Sequence, residues 1–166
     1  MQEYTHIVHT FEPVFNKQSR VLVLGSLPSV KSREQGFYYG HAQNRFWKVV
    51  AALMQKPLPE TTGQKKQLLL ESRIAVWDVV QECDIIGSSD ASIRNVTPTD
   101  LKRILDSCDI RAVFANGAAA AKLYEKFQKP LTKRDVITLP STSPANAAWS
   151  LERLLDRWSA LLEYLK

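Results

Sequence analysis

The sequence predicts an α/β protein, a three-layer α/β/α sandwich built on a short, mainly parallel sheet of four strands. Three observations lead there. Apolar runs rich in β-branched residues begin at Val21, Ile74, Ala112 and Val136. Segments with helical spacing of apolar residues separate them, an alternation that argues for a parallel sheet covered on both faces. Each run ends in a turn signal or a polar loop, so the loops following the strands gather at one edge of the sheet.

The 166 residues are expected to form one domain, 1–166, with a hydrophobic fraction of 45% suited to a soluble core. Residues 1–20 read as a lead-in whose Ile7, Val8, Phe11, Val14 and Phe15 lie against the core. Val21-Leu22-Val23-Leu24 is the first strand, closed by Gly25 and Pro28. The segment after it is unusual for a connector. Ser26, Ser29 and Ser32 precede three aromatics, Phe37, Tyr38 and Tyr39, and then Gly40-His41-Ala42-Gln43-Asn44. A helix starts near Asn44, with Phe46, Val49, Val50 and Leu53 on one face. Pro57 and Pro59 break the chain before a second helix over Gln64–Glu71.

The second strand, Ile74–Val80, leads into a polar loop from Asp84 to Asn95. Thr97-Pro98-Thr99-Asp100 carries a helix-start signature, with Thr as cap and Pro at the first helical position. Ala112–Ala115 is the third strand, ended by Asn116-Gly117 and followed by an alanine-rich helix with Leu123 and Phe127. Val136–Leu139 is the fourth, and Pro140 to Asn146 forms another loop at a strand end. From Leu151 to Leu165 leucines and Trp158 keep helical spacing to the C-terminus. Chain order thus brings 25–44, 84–95, Asn116-Gly117 and 140–146 toward one edge.

A net charge of +5 suits an anionic partner, although solubility alone would also use it. Cys83 and Cys108 show neither metal spacing nor a secreted framework, which predicts reduced thiols in a cytoplasm. The first fifteen residues lack the basic-then-apolar pattern of a signal peptide, and no apolar run reaches the roughly 18 residues a bilayer requires. The phosphate-loop lysine pattern and the dinucleotide glycine spacing are both missing between Gly25 and Ser32, which weakens a general nucleotide-binding reading.

Three stretches match a known pattern. Gly25-Ser26-Leu27-Pro28, then Tyr38 to Lys48 (YYGHAQNRFWK), then Leu139 to Asn146 (LPSTSPAN) resemble the uracil-DNA glycosylase superfamily. Within it the chain is most similar to the hypoxanthine (deoxyinosine) DNA glycosylases, relatives of the mismatch-specific uracil/thymine enzymes. The resemblance runs from about Val21 to the final helix. It implies a monofunctional DNA N-glycosylase of base excision repair, which flips hypoxanthine first, and uracil second, out of DNA and hydrolyses its N-glycosidic bond. It further implies a partner of double-stranded DNA holding a deaminated or mismatched base, no metal, no cofactor, no membrane and a monomer. The alternatives are a G:U or G:T mismatch-specific glycosylase and a non-catalytic DNA-binding relative. Leu27 motivates the last, standing where the mismatch-specific enzymes place the Asn thought to position water; Ser141 likewise replaces the His of the uracil-specific ones.

By motif position the essential residue falls on Asn44, whose amide can donate to and accept from a base or a water. It also stands where a helix cap is wanted, and capping alone would satisfy that signal. Gly25, Ser26, Leu27, Tyr39, His41 and Phe46 are the expected base pocket, with Tyr39 stacking and His41 equally readable as a satisfied loop histidine. Alternation along an extended segment would send Tyr38 and Tyr39 to opposite sides. Asp78 reads as a strand-end turn or, second, as a polar group orienting the pocket. Ser141, Thr142 and Ser143 are expected to grip phosphates or simply to turn the chain. Pro144-Ala145-Asn146 matches the wedge the resemblance implies, with Asn146 expected to bond the orphaned partner base, and Lys31 and Arg45 are candidate phosphate ligands or simply part of a solvated face.

Overall fold

In the computed structural model, which describes residues 3–166, the chain runs β1 (Thr5–Val8), β2 (Val21–Gly25), α1 (Val30–Gln35), α2 (Phe46–Met54), α3 (Thr62–Glu71), β3 (Ile74–Asp78), β4 (Val80–Ile85), β5 (Arg94–Pro98), α4 (Lys102–Leu105), β6 (Ala112–Asn116), α5 (Ala118–Leu123), α6 (Lys129–Thr132), β7 (Val136–Leu139) and α7 (Leu151–Trp158). Short 3-10 turns cover Asp90–Ser92, Pro144–Asn146 and Ser159–Tyr164.

The predicted α/β sandwich is present. Its four-stranded sheet has the order β3-β2-β6-β7 with every pair parallel. All residues of β2 and β3 are buried, as strands covered on both faces must be. Packed around this sheet, α3 meets β3, α5 meets β6 and β7, and α2 meets α7. The chain leaves β2 for β3 on one side and comes back to β6 on the other, so the sheet switches direction between β2 and β6. In open α/β sheets ligands bind outside the carboxyl ends of strands at such a switch. Pairing Gly25 with Asp78 and Asn116 with Leu139 sets these strand ends nearly level.

A second sheet departs from the sequence reading. Strands β1, β4 and β5 form an antiparallel sheet in the order β1-β4-β5. The lead-in therefore holds a strand (its residues 1–2 lie outside the described residues), and the expected 84–95 loop is shortened at both ends. Thr97 and Pro98 end β5 instead of opening a helix; α4 begins only at Lys102. Pro98 is tolerated there because this strand lies at the sheet's edge. The chain passes from one sheet to the other at Val79, whose carbonyl accepts from Gln128 Nε2 at 2.9 Å. Gln128 can reach it because the alanine-rich helix widens into a π-turn over Tyr124–Gln128. At the C-terminus the predicted continuous helix is α7 followed by the tighter 159–164 turn.

The serine-rich stretch after β2 is not all loop. Ser29 caps α1 by accepting from Ser32 N–H at 3.1 Å. Ser32 Oγ in turn accepts from Gly40 N–H at 3.0 Å, folding the aromatic segment back over the helix.

Candidate active site

A cleft of about 820 Å³ opens at the carboxyl ends of β2 and β6, within the range of pockets that enclose nucleotide-sized ligands. Its lining includes Gly25, Ser26, Leu27, Tyr39, Asn44 and Asp78, joined by Asn116 and residues of the 138–146 segment. The order of the strands has brought the separate stretches of sequence together.

Asn44 precedes α2 and faces the cleft. Its Oδ1 accepts from Phe46 N–H at 2.9 Å, which fixes the orientation of the amide, and from Thr142 Oγ1 at 2.8 Å. Thr142, fully buried, accepts from Asn116 Nδ2 at 3.0 Å and donates its own N–H to Asn116 Oδ1 at 3.0 Å. The amide, hydroxyl and amide thus form one chain of hydrogen bonds from β6 to α2. With its carbonyl doubly engaged, Asn44 keeps Nδ2 without a hydrogen-bond partner among the described residues, as a donor at the cleft wall.

Tyr39 sits at φ 53°, in the left-handed region that bulky residues seldom adopt. This turn, not the alternation of an extended strand, parts the neighbouring rings. Tyr38 is buried against Phe11 and Phe37, and its hydroxyl donates to Glu12 C=O at 2.8 Å. Tyr39 turns to the cleft and lies almost parallel to Phe46, with ring centroids 4.1 Å apart. Phe46 itself is wholly buried. It does not line the cleft as expected, because its ring is the support under Tyr39. Burial first, and then the Asp78 carboxylate, hold the Tyr39 phenol proton on well above the usual range. Its hydroxyl is buried without a partner among the described residues.

His41 is also absent from the lining. Its Nδ1 accepts from Gln43 N–H at 3.0 Å, the satisfied loop histidine of the alternative reading. Leu27 lines the cleft and offers only apolar surface.

The second motif forms a braced loop. Ser141 Oγ accepts from Ser143 N–H, and Ser143 Oγ accepts from Ala145 N–H, both at 3.1 Å. Asn146 Nδ2 donates to Ser141 C=O at 3.0 Å, so its amide braces the loop instead of projecting from it. Pro144 is half-buried and Ala145 is exposed at the tip. Arg45 departs furthest from expectation. Its guanidinium donates to the carbonyls of Asn146 at 3.0 Å, Ser143 at 3.3 Å and Trp149, so it clamps this loop rather than standing free for a phosphate. A fork of five donors suits several carbonyls at once, and their bonding here takes up the cation. Lys31 remains on the surface, 3.6 Å from Glu34 across a pair that solvent keeps weak.

The sequence reading overlooks His9, Trp149 and Arg157, brings Asn116 to the edge without giving it a role, and ranks a turn above a pocket role for Asp78. Trp149 and Arg157 line the outer cleft. Asp78 and His9 form a buried pair at its floor, Oδ2 to Nε2, at 2.8 Å. Among the described residues no cluster of His, Cys, Asp and Glu has the makings of a metal site, and no helix is long and apolar enough to cross a membrane.

The chain is similar to known proteins over most of its length. The family model described as the uracil DNA glycosylase superfamily matches residues 12–166. A protein of Methanosarcina acetivorans named hypoxanthine DNA glycosylase is 30% identical over 93% of this chain and 97% of its own. Another with the same name, from Methanosarcina barkeri, is 28% identical over 90% and 94%. The solution NMR structure of a candidate uracil DNA glycosylase from Methanosarcina acetivorans aligns with a TM-score of 0.79, at 29% identity over 93% of this chain and 96% of that one. On the match over residues 12–166, the chain belongs to the uracil DNA glycosylase superfamily.

Proposed function

We propose that this chain is a monofunctional DNA glycosylase that flips a deaminated base out of double-stranded DNA, hypoxanthine first and uracil second. It hydrolyses the N-glycosidic bond and leaves an abasic site. The superfamily membership and two relatives named hypoxanthine DNA glycosylase support glycosylase activity on a deaminated base. The observation that carries the chemistry is Asn44, whose carbonyl is locked by Phe46 and Thr142 while its amide stays open to the cleft.

Extrusion costs a few kcal/mol, least at a mispaired or damaged base, and is offset by stacking and edge contacts in the pocket. Tyr39, backed by Phe46, supplies the stacking ring. As the bond breaks, negative charge collects on the departing base and the sugar becomes oxocarbenium-like. A fixed Nδ2–H donor stabilises that charge without reorganising at the moment of reaction. Water then adds to the sugar carbon. The 141–146 loop approaches the DNA backbone, with Ala145 entering the space vacated by the base and Ser141, Thr142 and Ser143 anchoring the loop beneath it. We read the protein as one domain acting as a monomer, since one chain completes the cleft, and place it in the cytoplasm, which two free cysteines suit.

The test is release of base from duplexes holding one hypoxanthine, uracil or mismatched thymine, using the wild type, Asn44→Asp and Asn44→Ala. Asp keeps both acceptor bonds of Asn44, removes the donor and sets a negative charge where the departing base becomes anionic. It should fold normally, bind DNA and excise hypoxanthine on the order of 100-fold or more slowly. Ala should lose that activity and roughly 1 kcal/mol of stability through the lost helix-start bond. Near-normal excision by Asn44→Asp would remove Asn44 from the chemistry. Release of thymine but not hypoxanthine by the wild type would make it a mismatch enzyme, and binding without release a non-catalytic relative.

A further inference from the structure

The floor of the cleft holds an acid that the three matching motifs do not include. Asp78 closes β3 level with Gly25, with its side chain 4% exposed and that of His9 1% exposed. His9 Nε2–H donates to Asp78 Oδ2 at 2.8 Å. The other oxygen, Oδ1, has no hydrogen-bond partner among the described residues and lies 2.4 Å from where a Cβ on Gly25 would stand. That oxygen is open to the cleft rather than sealed in the protein, so a donor on a bound base can reach it. His9 arrives from the other sheet, just beyond β1, and precedes the residues matched by the family model. Its backbone is pinned on both sides by Gln81, at 2.7 and 3.0 Å, and its ring packs between Phe11 and Tyr38.

We propose that Asp78, positioned by His9, reads the ring N–H that deamination creates, N1–H of hypoxanthine or N3–H of uracil. The inference rests on the glycosylase reading above. Adenine presents a bare N1 and cytosine a bare N3, both lone pairs; hydrolytic deamination turns each into an N–H donor. A carboxylate accepts from that donor and repels the lone pair it replaced. A site built to bond a substrate N–H can reject analogues lacking it by roughly 10⁴-fold, because its own polar atom is then left unpaired. Guanine also carries N1–H, and its exclusion falls to the greater cost of opening a sound pair. His9 touches no substrate. Its N–H on Oδ2 draws charge away from the base and leaves Oδ1 as the oxygen of this carboxylate that is free to accept at the cleft.

The experiment compares single-turnover excision of hypoxanthine and of N1-methylhypoxanthine from otherwise identical duplexes. It uses the full chain as wild type, Asp78→Ala, His9→Phe and His9→Gln. The wild type should favour hypoxanthine by roughly 100-fold or more. Asp78→Ala should slow hypoxanthine roughly 100-fold yet leave the methylated base nearly unchanged, so that the preference collapses. His9→Phe keeps the ring packing without the donor and should slow hypoxanthine by about 10-fold, as expected for one lost hydrogen bond. His9→Gln, with an amide N–H near the lost Nε2, should restore most of the rate. A role in folding alone would slow both substrates together and preserve the ratio, which would overturn the proposal. A wild-type ratio near one would overturn it even if no variant folds. Failure of the wild type to release any base would overturn the glycosylase reading and this inference with it. Hypoxanthine release with an unaltered ratio overturns the inference alone.

Discussion

The two sheets place their polar groups in opposite ways. In the parallel sheet β2 and β3 are buried throughout, and along β2, β3 and β6 polar side chains appear only at strand ends, Asp78 on β3 and Asn116 on β6. The antiparallel sheet is partly open and carries polar pairs along its length: His6 with Asp84 at 2.8 Å, Asn95 with Asp84 at 2.7 Å, and Thr97 with Glu82. A sheet covered on both faces has nowhere to put a polar group except at its edge. That edge is therefore where chemistry concentrates, while pairs on the open sheet support only their own strands. His9, one residue beyond β1, is where the second sheet reaches the first.

Substitutions at the parallel sheet's edge should break this contrast most severely. A methyl group at position 25 would stand 2.4 Å from Asp78 Oδ1, so Gly25→Ala must displace the carboxylate or the strand. Hypoxanthine excision should fall roughly 100-fold, with about 1–3 kcal/mol lost in stability, as for other overpacked sites. Kinetics beside a chemical melt would check both numbers; unchanged excision would detach the strand end from the reaction.

A step smaller is Thr142→Val, which removes the hydroxyl linking Asn116 to Asn44 while keeping shape. Stability should drop by about 1–2 kcal/mol and excision by roughly 10-fold, since Asn44 retains the Phe46 bond that orients it. If excision fell as far as in Asn44→Asp, the hydroxyl itself would belong to the chemistry.

The smallest effect belongs to the open sheet. The bond to Asp84 raises the His6 pKa above its ordinary 6.5, and bonds from Asn95 and then His6 lower that of Asp84 below 3.8. A raised histidine stabilises fully below its ordinary value and loses the contribution as pH rises through the folded value. A lowered carboxylate contributes above its ordinary value and fades as pH falls through the folded one. Both contributions are complete only between about pH 4 and 6.5. His6→Ala should shift the melting midpoint slightly in that window, the shift fading as pH rises above it, with excision unaltered throughout. A change in excision would show that the sheets are coupled elsewhere than at His9.

The same contrast explains what the sequence discloses. A doubly covered strand must be apolar along its length, so the runs at Val21, Ile74 and Ala112 stand out, and the half-exposed Val136–Leu139 is found by its β-branched residues. Strand β4, VQECDI, mixes buried and half-buried residues, and β5 ends in a proline that imitates a helix start. Neither declares itself locally; they become strands by pairing with each other and with β1. Within the site, Asn44 and the 141–146 loop were legible through motif order. Asn116 resembled the end of a turn, and His9 one residue of a lead-in, because their meaning lies in partners 26 and 69 positions away. Arg45 was misread for a simpler reason. Composition counts a cation and cannot tell whether it faces solvent or a ring of carbonyls.

That clamp bears on how quickly DNA can be searched. A repair enzyme inspects many sound base pairs for each lesion, and a probe that had to order itself would repeat that step at every stop. Immobilising one flexible side chain on binding costs about 0.5–1.5 kcal/mol, and a loop of several residues a multiple of it. With Ser143, Asn146 and Trp149 already tied to Arg45, the 143–149 loop is ordered once, when the protein folds. Encounters can then be short. Dwell time is left to be set by how readily the base opens rather than by how slowly the protein assembles around it.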